Sequence, residues 1–155
     1  MSMRERDAAG RPLNARPRDG LGRPLARGAE GVERVADGLA LPPAESLAEA
    51  QRLLDEGLPF HAHEVLEGTW KSAPEPEREL WQGLAQLAVG LTHALRGNLG
   101  GAVTLLRRGR DRIEPYAVAP PHGIDVAGLL AWVDTTVAYL GDAAHPPVTP
   151  QLRRT

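Results

Sequence analysis

The stretches GLPFHAHEVLEGTW (57–70) and WQGLAQLAVGLTHALRGN (81–98) decide the fold of this chain of 155 residues. Apolar residues in both stretches recur every three or four positions, which is the period of an α-helix with one buried face. Pro59 suits the first turn of a helix, and Gly57 and Gly97 suit the turns at which helices end. Both stretches are therefore predicted to be helices.

The helical period continues on both sides of these stretches. We predict five helices, at 44–56, 59–72, 77–96, 99–113 and 126–140. Asn98 and Asp125 are suited to cap the last two helices, and Gly141 is suited to close the chain's final helix. No stretch alternates with the period of two that is typical of strands.

A weak internal repeat refines this picture. A glycine, an alanine and a leucine recur at an offset of 40 residues, as Gly57, Ala62, Leu66 and Gly97, Ala102, Leu106. Two copies are too few for a solenoid, which needs at least about three repeats. We therefore predict an all-α fold, a five-helix bundle built from helical hairpins.

The first 43 residues differ from the rest because they are rich in Arg, Pro and Gly and show no helical period. Such a segment cannot bury enough apolar surface to offset its ordering entropy. We predict an extended N-terminal arm at 1–43, a helical bundle domain at 44–141 and a C-terminal tail at 142–155. Eight Arg against six Asp and Glu leave the arm a net charge of only +2, which does not favour nucleic acid as its partner.

The composition of the whole chain argues against several classes of protein. A formal net charge of −2 gives no general attraction to nucleic acid or to an anionic membrane. The absence of cysteine removes disulfides, thiolate zinc sites and cysteine nucleophiles. No apolar run approaches the roughly 20 residues that span a bilayer, and the first residues lack the apolar core of a signal peptide. We expect a cytoplasmic protein with no membrane contact.

His63, Glu67 and Trp70 are the first candidate site residues. Positions i, i+4 and i+7 fall on one face of a helix, so an imidazole, a carboxylate and an indole N–H lie side by side, with Glu64 nearby. The string HEVLE is superficially similar to the HExxH zinc signature. It lacks the second histidine, which argues against a zinc protease.

The third helix carries a second polar stripe, formed by Gln82, Gln86 and His93. Its opposite, apolar face is predicted to lie in the core and consists of Leu80, Leu84, Leu87, Leu91 and Leu95. Three glycines spaced by seven run between the two stripes: Gly83, Gly90 and Gly97. A glycine inside a helix costs about 1 kcal/mol relative to alanine, so these glycines indicate a groove for another helix. If the His63 helix lies there, the two polar faces meet.

Three interpretations of this polar seam stay open. It is a buried hydrogen-bonded network that fixes helix register, or a groove for a ligand or partner, or a metal or acid–base site. In the last case His63, Glu67 and His93 supply three ligands and leave one position open.

The other histidines and tryptophans are placed outside the seam. His61, His122 and His145 have no evident partners and are expected on the surface. Trp81 and Trp132 belong either to the core or to a self-association surface. The arginines of the fourth helix wrap around it, as on a solvated face: Arg107, Arg108, Arg110 and Arg112.

Two motifs in this order resemble the family called domain of unknown function 309, over about residues 45–140. The hallmark His-x-x-x-Glu-x-x-Trp is matched by His63, Glu67 and Trp70. The second motif, Gln-Gly-Leu-x-Gln followed by His-x-x-x-Gly-Asn, is matched by Gln82, Gly83, Leu84, Gln86, His93, Gly97 and Asn98. The resemblance implies a compact all-helical fold and no established activity.

The sequence thus favours a non-catalytic helical module that binds a protein or small molecule, with no cofactor. Its candidate ligand-binding residues are His63, Glu64, Glu67, Trp70, Gln82, Gln86, His93 and Asn98. One alternative is a metal-dependent, hydrolase-like enzyme that uses His63, Glu67 and His93. The other is a nucleic-acid-associated protein that uses the arginine arm.

Overall fold

The fold is a bundle of five α-helices, as the sequence predicts. The computed structural model describes residues 40–154. Within this range the helices are α1 (Pro43–Asp55), α2 (Pro59–Ser72), α3 (Glu75–Leu95), α4 (Leu99–Ile113) and α5 (Val126–Ala138). Two short 3₁₀ turns, Glu114–Tyr116 and Pro121–Gly123, connect α4 to α5. The all-α prediction is confirmed. The predicted arm lies outside the described residues, apart from 40–43.

Local chemistry accounts for the helix ends. The first three helices each begin with a proline in the first turn, where a missing N–H leaves no hydrogen bond unmade. This tolerance for Pro76 allows α3 to begin at Glu75, two residues before the predicted start. The last two helices have side-chain caps: Asn98 Oδ1 accepts from the N–H of Gly101 at 3.2 Å, and Asp125 Oδ1 accepts from that of Gly128 at 3.1 Å.

The helices pack in chain order as two hairpins, α1 with α2 and α3 with α4, and α5 closes the bundle against α4. Gly57 and Gly97 form the two hairpin turns with φ of +77° and +82°, a conformation that favours glycine. The alanine and leucine of each repeat are fully buried at the hairpin contacts: Ala62, Leu66, Ala102 and Leu106.

The core includes most of the apolar stripe of α3. Leu80, Leu84, Leu87 and Leu91 are buried, whereas Leu95, the last residue of the helix, is 41% exposed. Trp81 and Trp132 are both buried. Of the two locations considered for them, the core and a self-association surface, they therefore occupy the core. Among the described helices, none has the length and apolar character needed to cross a bilayer.

The glycine groove of α3 receives α4, so the condition considered above, in which the His63 helix lies in this groove, is not met. A Cβ on Gly83 would lie 3.0 Å from the carbonyl oxygen of Gly109, and a Cβ on Gly109 would lie 2.8 Å from that of Gly83. A Cβ on Gly90 would meet Leu106 at 2.8 Å. Because α4 contributes its own glycine, the two backbones touch directly. Gly97 belongs to the turn and not to the groove.

Candidate functional site

A histidine–glutamate pair lies on α2. His63 Nε2 is 3.2 Å from Glu67 Oε2, and the His63 residue is only 5% exposed because α2 is packed between α1 and α3. The second carboxylate oxygen of Glu67 lies 3.5 Å from Nζ of Lys71. The predicted i, i+4 contact between imidazole and carboxylate is therefore present.

The orientation of the imidazole determines what the pair can do. A carboxylate only accepts hydrogen bonds, so Nε2 of His63 carries a hydrogen, and in the neutral ring Nδ1 then presents a lone pair. Nδ1 is buried, and within residues 40–154 it has no hydrogen-bond partner. The Phe60 ring lies beside the imidazole, with the ring centroids 5.3 Å apart. The site therefore combines one acceptor nitrogen with an adjacent aromatic surface.

Trp70 and Glu64 lie on the same helix and are both half-buried. The Trp70 ring packs against the core, and the guanidinium carbon of Arg78 in α3 is 5.9 Å from its centroid. A cation at this distance from an indole is weakly attracted by the ring face. The Trp70 end of the α2 face thus has a guanidinium group from α3 beside it, and the carboxylate of Glu67 lies about one turn before Trp70 on the same helix.

Of the two α3 glutamines predicted to lie beside the His63 face, Gln86 contacts α4 instead. Gln86 Oε1 accepts a hydrogen bond from Nε of Arg112 in α4 at 3.0 Å, and Arg112 also pairs with Glu79. Gln82 is half-buried one turn before Gln86. Gln86 is therefore part of the contact between α3 and α4.

His93 and Asn98 form a pair at the turn between α3 and α4. The side-chain amide of Asn98 donates to Nδ1 of His93 over 3.0 Å. Burial and, second, the nearby charge of Arg96 lower the pKa of His93, which favours the neutral ring that can accept this bond. This contact makes His93 and Asn98 part of the structure that caps the N-terminus of α4.

The metal-site interpretation is not supported by the arrangement of side chains. In the part of the chain that the structure describes, no group of three or more His, Asp or Glu side chains could hold a metal ion. His63, Glu67 and His93 therefore do not form a three-ligand set, because His93 is engaged by Asn98 at the end of α3. A donor pair without a third ligand is a poor metal centre.

The expectation that His61 lies on the surface is wrong, because this residue is fully buried. The sequence analysis assumed that α2 has a single buried face. It underestimated the burial of His61 because α2 packs against both α1 and α3. His145 is exposed as expected, but it stacks on Tyr139 with the centroids 4.3 Å apart and contacts Asp142 at 3.0 Å.

A second polar cluster was missed by the sequence analysis. Oε1 of Glu77 lies 3.1 Å from Nε1 of Trp81 and 2.8 Å from Nε2 of His122. Burial alone would raise the pKa of Glu77, but the hydrogen bonds from His122 and Trp81 outweigh it and hold the pKa below its usual value. The i, i+4 spacing of Glu77 and Trp81 was a usable signal. The contribution of His122, which has a φ of +58°, depends on the 3₁₀ turn.

The arginines of α4 lie as expected for a solvated helix. Arg107 and Arg108 are exposed. Arg110 forms hydrogen bonds with Asp134 of α5 at 2.8 Å and with Glu114 at 3.1 Å. These contacts join neighbouring elements and leave no cluster of arginines on one face.

Comparison with known proteins agrees with the two motifs. Residues 47–105, which include most of α1, all of α2 and α3 and about half of α4, match the family model of Domain of unknown function (DUF309). The resemblance expected over about residues 45–140 is therefore confirmed, over a shorter range of residues.

A curated relative matches a shorter stretch. Over 48 residues, the chain is 46% identical to "Uncharacterized protein YpuF" of Bacillus subtilis (strain 168). This stretch is 30% of the present chain and 28% of the relative. The match thus spans less than a third of that relative's length. The search of solved structures found no significant match to the chain.

Proposed function

We propose that the chain is a non-catalytic helical interaction module that binds its partner through α2. One observation carries the proposal: His63 is held by Glu67 at 3.2 Å, yet its Nδ1 has no hydrogen-bond partner within residues 40–154. A buried polar atom without a partner costs about 1–3 kcal/mol. Because His63 is only 5% exposed, a ligand reaches this atom only when the side chains that cover it move, and a ligand that then satisfies the atom recovers that free energy on binding.

The chemistry of the atom defines the partner group. Because Nδ1 is an acceptor, the partner offers a hydrogen-bond donor, such as an amide N–H, a hydroxyl or an ammonium group. The Phe60 ring is half-buried, and with its centroid 5.3 Å from that of the imidazole it contributes apolar area near Nδ1. Aromatic area around one polar contact is typical of binding sites that fix the orientation of a ligand.

The absence of a third metal ligand beside the pair favours binding over metal-assisted hydrolysis, within the described residues. The nucleic-acid hypothesis concerns the arginine arm, which lies almost wholly outside the described residues. It stays a prediction: deletion of residues 1–40 should abolish a nucleic-acid affinity that falls steeply with salt.

The test uses three immobilised full-length chains: wild type, His63→Gln and Ser72→Ala. The glutamine retains a donor for Glu67 and removes Nδ1, and Ser72 is an exposed residue of the same helix that forms only local main-chain hydrogen bonds. We expect His63→Gln to retain at least tenfold less of the specific partner from a lysate of the source cells than wild type, with Ser72→Ala unchanged. Equal retention by all three chains would reject α2 as the contact surface.

A second readout separates binding from folding. In the wild-type chain, addition of the captured partner should shift the ¹⁵N resonance of His63 Nδ1 in the direction of an accepted hydrogen bond. An unchanged ring resonance in the presence of saturating partner would count against the proposal even if capture were reduced.

A further inference from the structure

The outer face of α2 is shielded from solvent. A stripe of residues at helical spacing lies on the side opposite the buried Ala62 and Leu66, and consists of Phe60, Glu64, Glu67 and Lys71. No residue from 59 to 70 is exposed, whereas Lys71 is. The Glu67 side chain is 12% exposed, compared with 61% for that of Asp134 on α5. Carboxylates on an outward helix face are ordinarily solvated, so this face is covered.

The described neighbours of α2 cover its flanks and not this stripe. Within residues 40–154, α2 packs mainly against α1 and α3. Helices on two sides bury the inner face and the flanks of a helix and leave its outer stripe in water, and α1, α4 and α5 each have exposed residues on such a stripe. The shielding of α2 therefore indicates cover by a further part of the chain.

The chain enters the described structure beside α2. Residues 1–39 precede Ala40, the first described residue. Ser46 lies near the start of α1, and its Oγ is 2.6 Å from Oγ1 of Thr69, near the C-terminal end of α2. At 1.5 Å per residue α2 is about 21 Å long, and the 39 preceding residues span up to about 130 Å. They are therefore long enough to follow the whole of α2 from that end.

Another flank of α1 is filled by residues 148–154. Both ends of the Gln51 amide bind this segment: Nε2 donates to the carbonyl oxygen of Pro150 at 3.0 Å, and Oε1 accepts from the N–H of Leu152 at 2.9 Å. Pro150 and Leu152 are both buried. The flank of α1 around Gln51 is thus taken, which leaves the α2 side for residues 1–39.

The charges of residues 1–39 are divided into two blocks. Residues 30–39 contain three Asp and Glu against one Arg, which gives a net charge of −2. Residues 1–29 contain seven Arg against three Asp and Glu, which gives a net charge of +4. The block that is nearer to the described structure is therefore acidic, and the block further away is basic.

The charges along α2 are complementary and follow in the same order. The end of α2 next to the entering chain carries Lys71, and Arg78 of α3 lies beside it. The middle of the stripe carries the carboxylates of Glu64 and Glu67. A chain that runs along α2 from its C-terminal end thus brings its acidic block to positive groups and its basic block to carboxylates.

We propose that residues 1–39 bind the outer face of α2 as an intramolecular ligand, with residues 1–29 at Glu64 and Glu67 and residues 30–39 at Lys71. A short connection holds such a segment at an effective concentration of about millimolar. A contact of only millimolar affinity is therefore formed about half of the time.

One consequence rests on the function proposed for α2. A partner that binds through α2 displaces residues 1–39, so its apparent affinity is reduced by the fraction of time for which the face is covered. Loss of the contact should therefore raise the apparent affinity for the partner about twofold or more.

Paramagnetic relaxation in the full-length chain tests the contact. The chain contains no cysteine, so Ala26→Cys accepts a nitroxide spin label at one defined place. We expect the label to reduce the intensities of the amide signals of Glu64 and Gly68 on α2 roughly twofold or more. The signals of Ala131 and Asp134 on α5 should be unchanged, because α5 packs against α4.

Two matched variants of the labelled chain test the role of charge. Arg16, Arg18 and Arg23 are replaced together, by Glu in one variant and by Lys in the other. The Glu variant changes the net charge of residues 1–29 from +4 to −2 and should restore the α2 signals. The Lys variant keeps the charge and should leave the signals reduced. Helical circular dichroism checks that each chain is folded.

α2 signals of equal intensity with the nitroxide and with its reduced, diamagnetic form would overturn the proposal. Reduced signals that survive the change to Glu would overturn the charge matching on which it rests. A mixture of ¹⁵N-labelled chain without the nitroxide and nitroxide-labelled chain without ¹⁵N identifies the source of the effect. Reduced α2 signals in this mixture would assign the contact to a second copy and would overturn an intramolecular ligand.

The capture assay described for α2 tests the competition. Without the nitroxide, the Glu variant should retain about twofold more of the partner than wild type, and equal retention would overturn the competition. The relaxation measurement uses no partner, so its failure leaves the function proposed for α2 intact. Equal capture by wild type and His63→Gln would reject that function and leave the contact of residues 1–39 intact.

Discussion

Replacement of Gly109 by alanine tests the direct backbone contact between α3 and α4. The added Cβ would lie 2.8 Å from the carbonyl oxygen of Gly83 and 2.7 Å from Cδ2 of Leu87. The leucine can rotate, but the carbonyl cannot move without displacing α3. Overpacking of this kind costs about 1–3 kcal/mol, and alanine recovers about 1 kcal/mol of helix propensity. We expect a net loss of up to about 2 kcal/mol in the free energy of unfolding.

Gly100→Ala is the matched control. Gly100 lies in the same helix, and a Cβ there would meet nothing within 4 Å. This variant should be unchanged or more stable by up to about 1 kcal/mol. Urea unfolding followed by helical circular dichroism measures both variants, and an unchanged slope with a shifted midpoint identifies a true change in stability.

A Gly109→Ala chain as stable as Gly100→Ala would refute this reasoning. It would mean that the two helices separate at little cost, and that the glycines do not set the distance between α3 and α4.

Three further predictions concern single contacts. The pKa of Glu77 is below its ordinary value of 4.5, so its ionised form stabilises the fold above that pH, and this stabilisation is lost as the pH falls through the lower pKa of the folded state. In urea unfolding across acidic pH, Glu77→Gln should therefore lose less free energy of unfolding than wild type as the pH falls. An unchanged pH profile would contradict this prediction. Asp125→Ala should lower the free energy of unfolding by about 1 kcal/mol through loss of the cap of α5, whereas Asp125→Asn keeps an acceptor and should not. Thr69→Val should cost about 1–3 kcal/mol because it strands the buried hydroxyl of Ser46, 2.6 Å from Thr69 Oγ1. Adding Ser46→Ala should recover most of that loss in a double-mutant cycle, and no recovery would show that the two hydroxyls are not coupled.

The helix ends were predictable because their causes are local. Pro59, Gly57, Asn98 and Asp125 each act within one or two turns of the chain, and the helices begin and end close to where these residues predict. The His63–Glu67 contact was predictable for the same reason, since an i, i+4 pair is set by helix geometry alone.

Contacts between elements were less predictable. Gly83 and Gly90 showed that a helix would approach α3 closely, but not that it would be α4, because the reciprocal contact at Gly109 requires knowledge of both partners. The same limit applies to His122, whose contact with Glu77 spans 45 positions. Such pairings depend on the relative placement of helices, which hydrophobic period alone does not specify.

The double contact of Gln51 has a consequence for synthesis of the chain at the ribosome. Its amide joins main-chain atoms 99 and 101 positions later in the sequence. At a translation rate of about 5–20 residues per second, these atoms are made roughly 5–20 s after Gln51 itself. In the meantime α1 and α2 can already have formed their hairpin and packed against α3. The surface of α1 around Gln51 therefore stays open to other extended polypeptides during that interval, when nascent chains and chaperones are the molecules nearest to it.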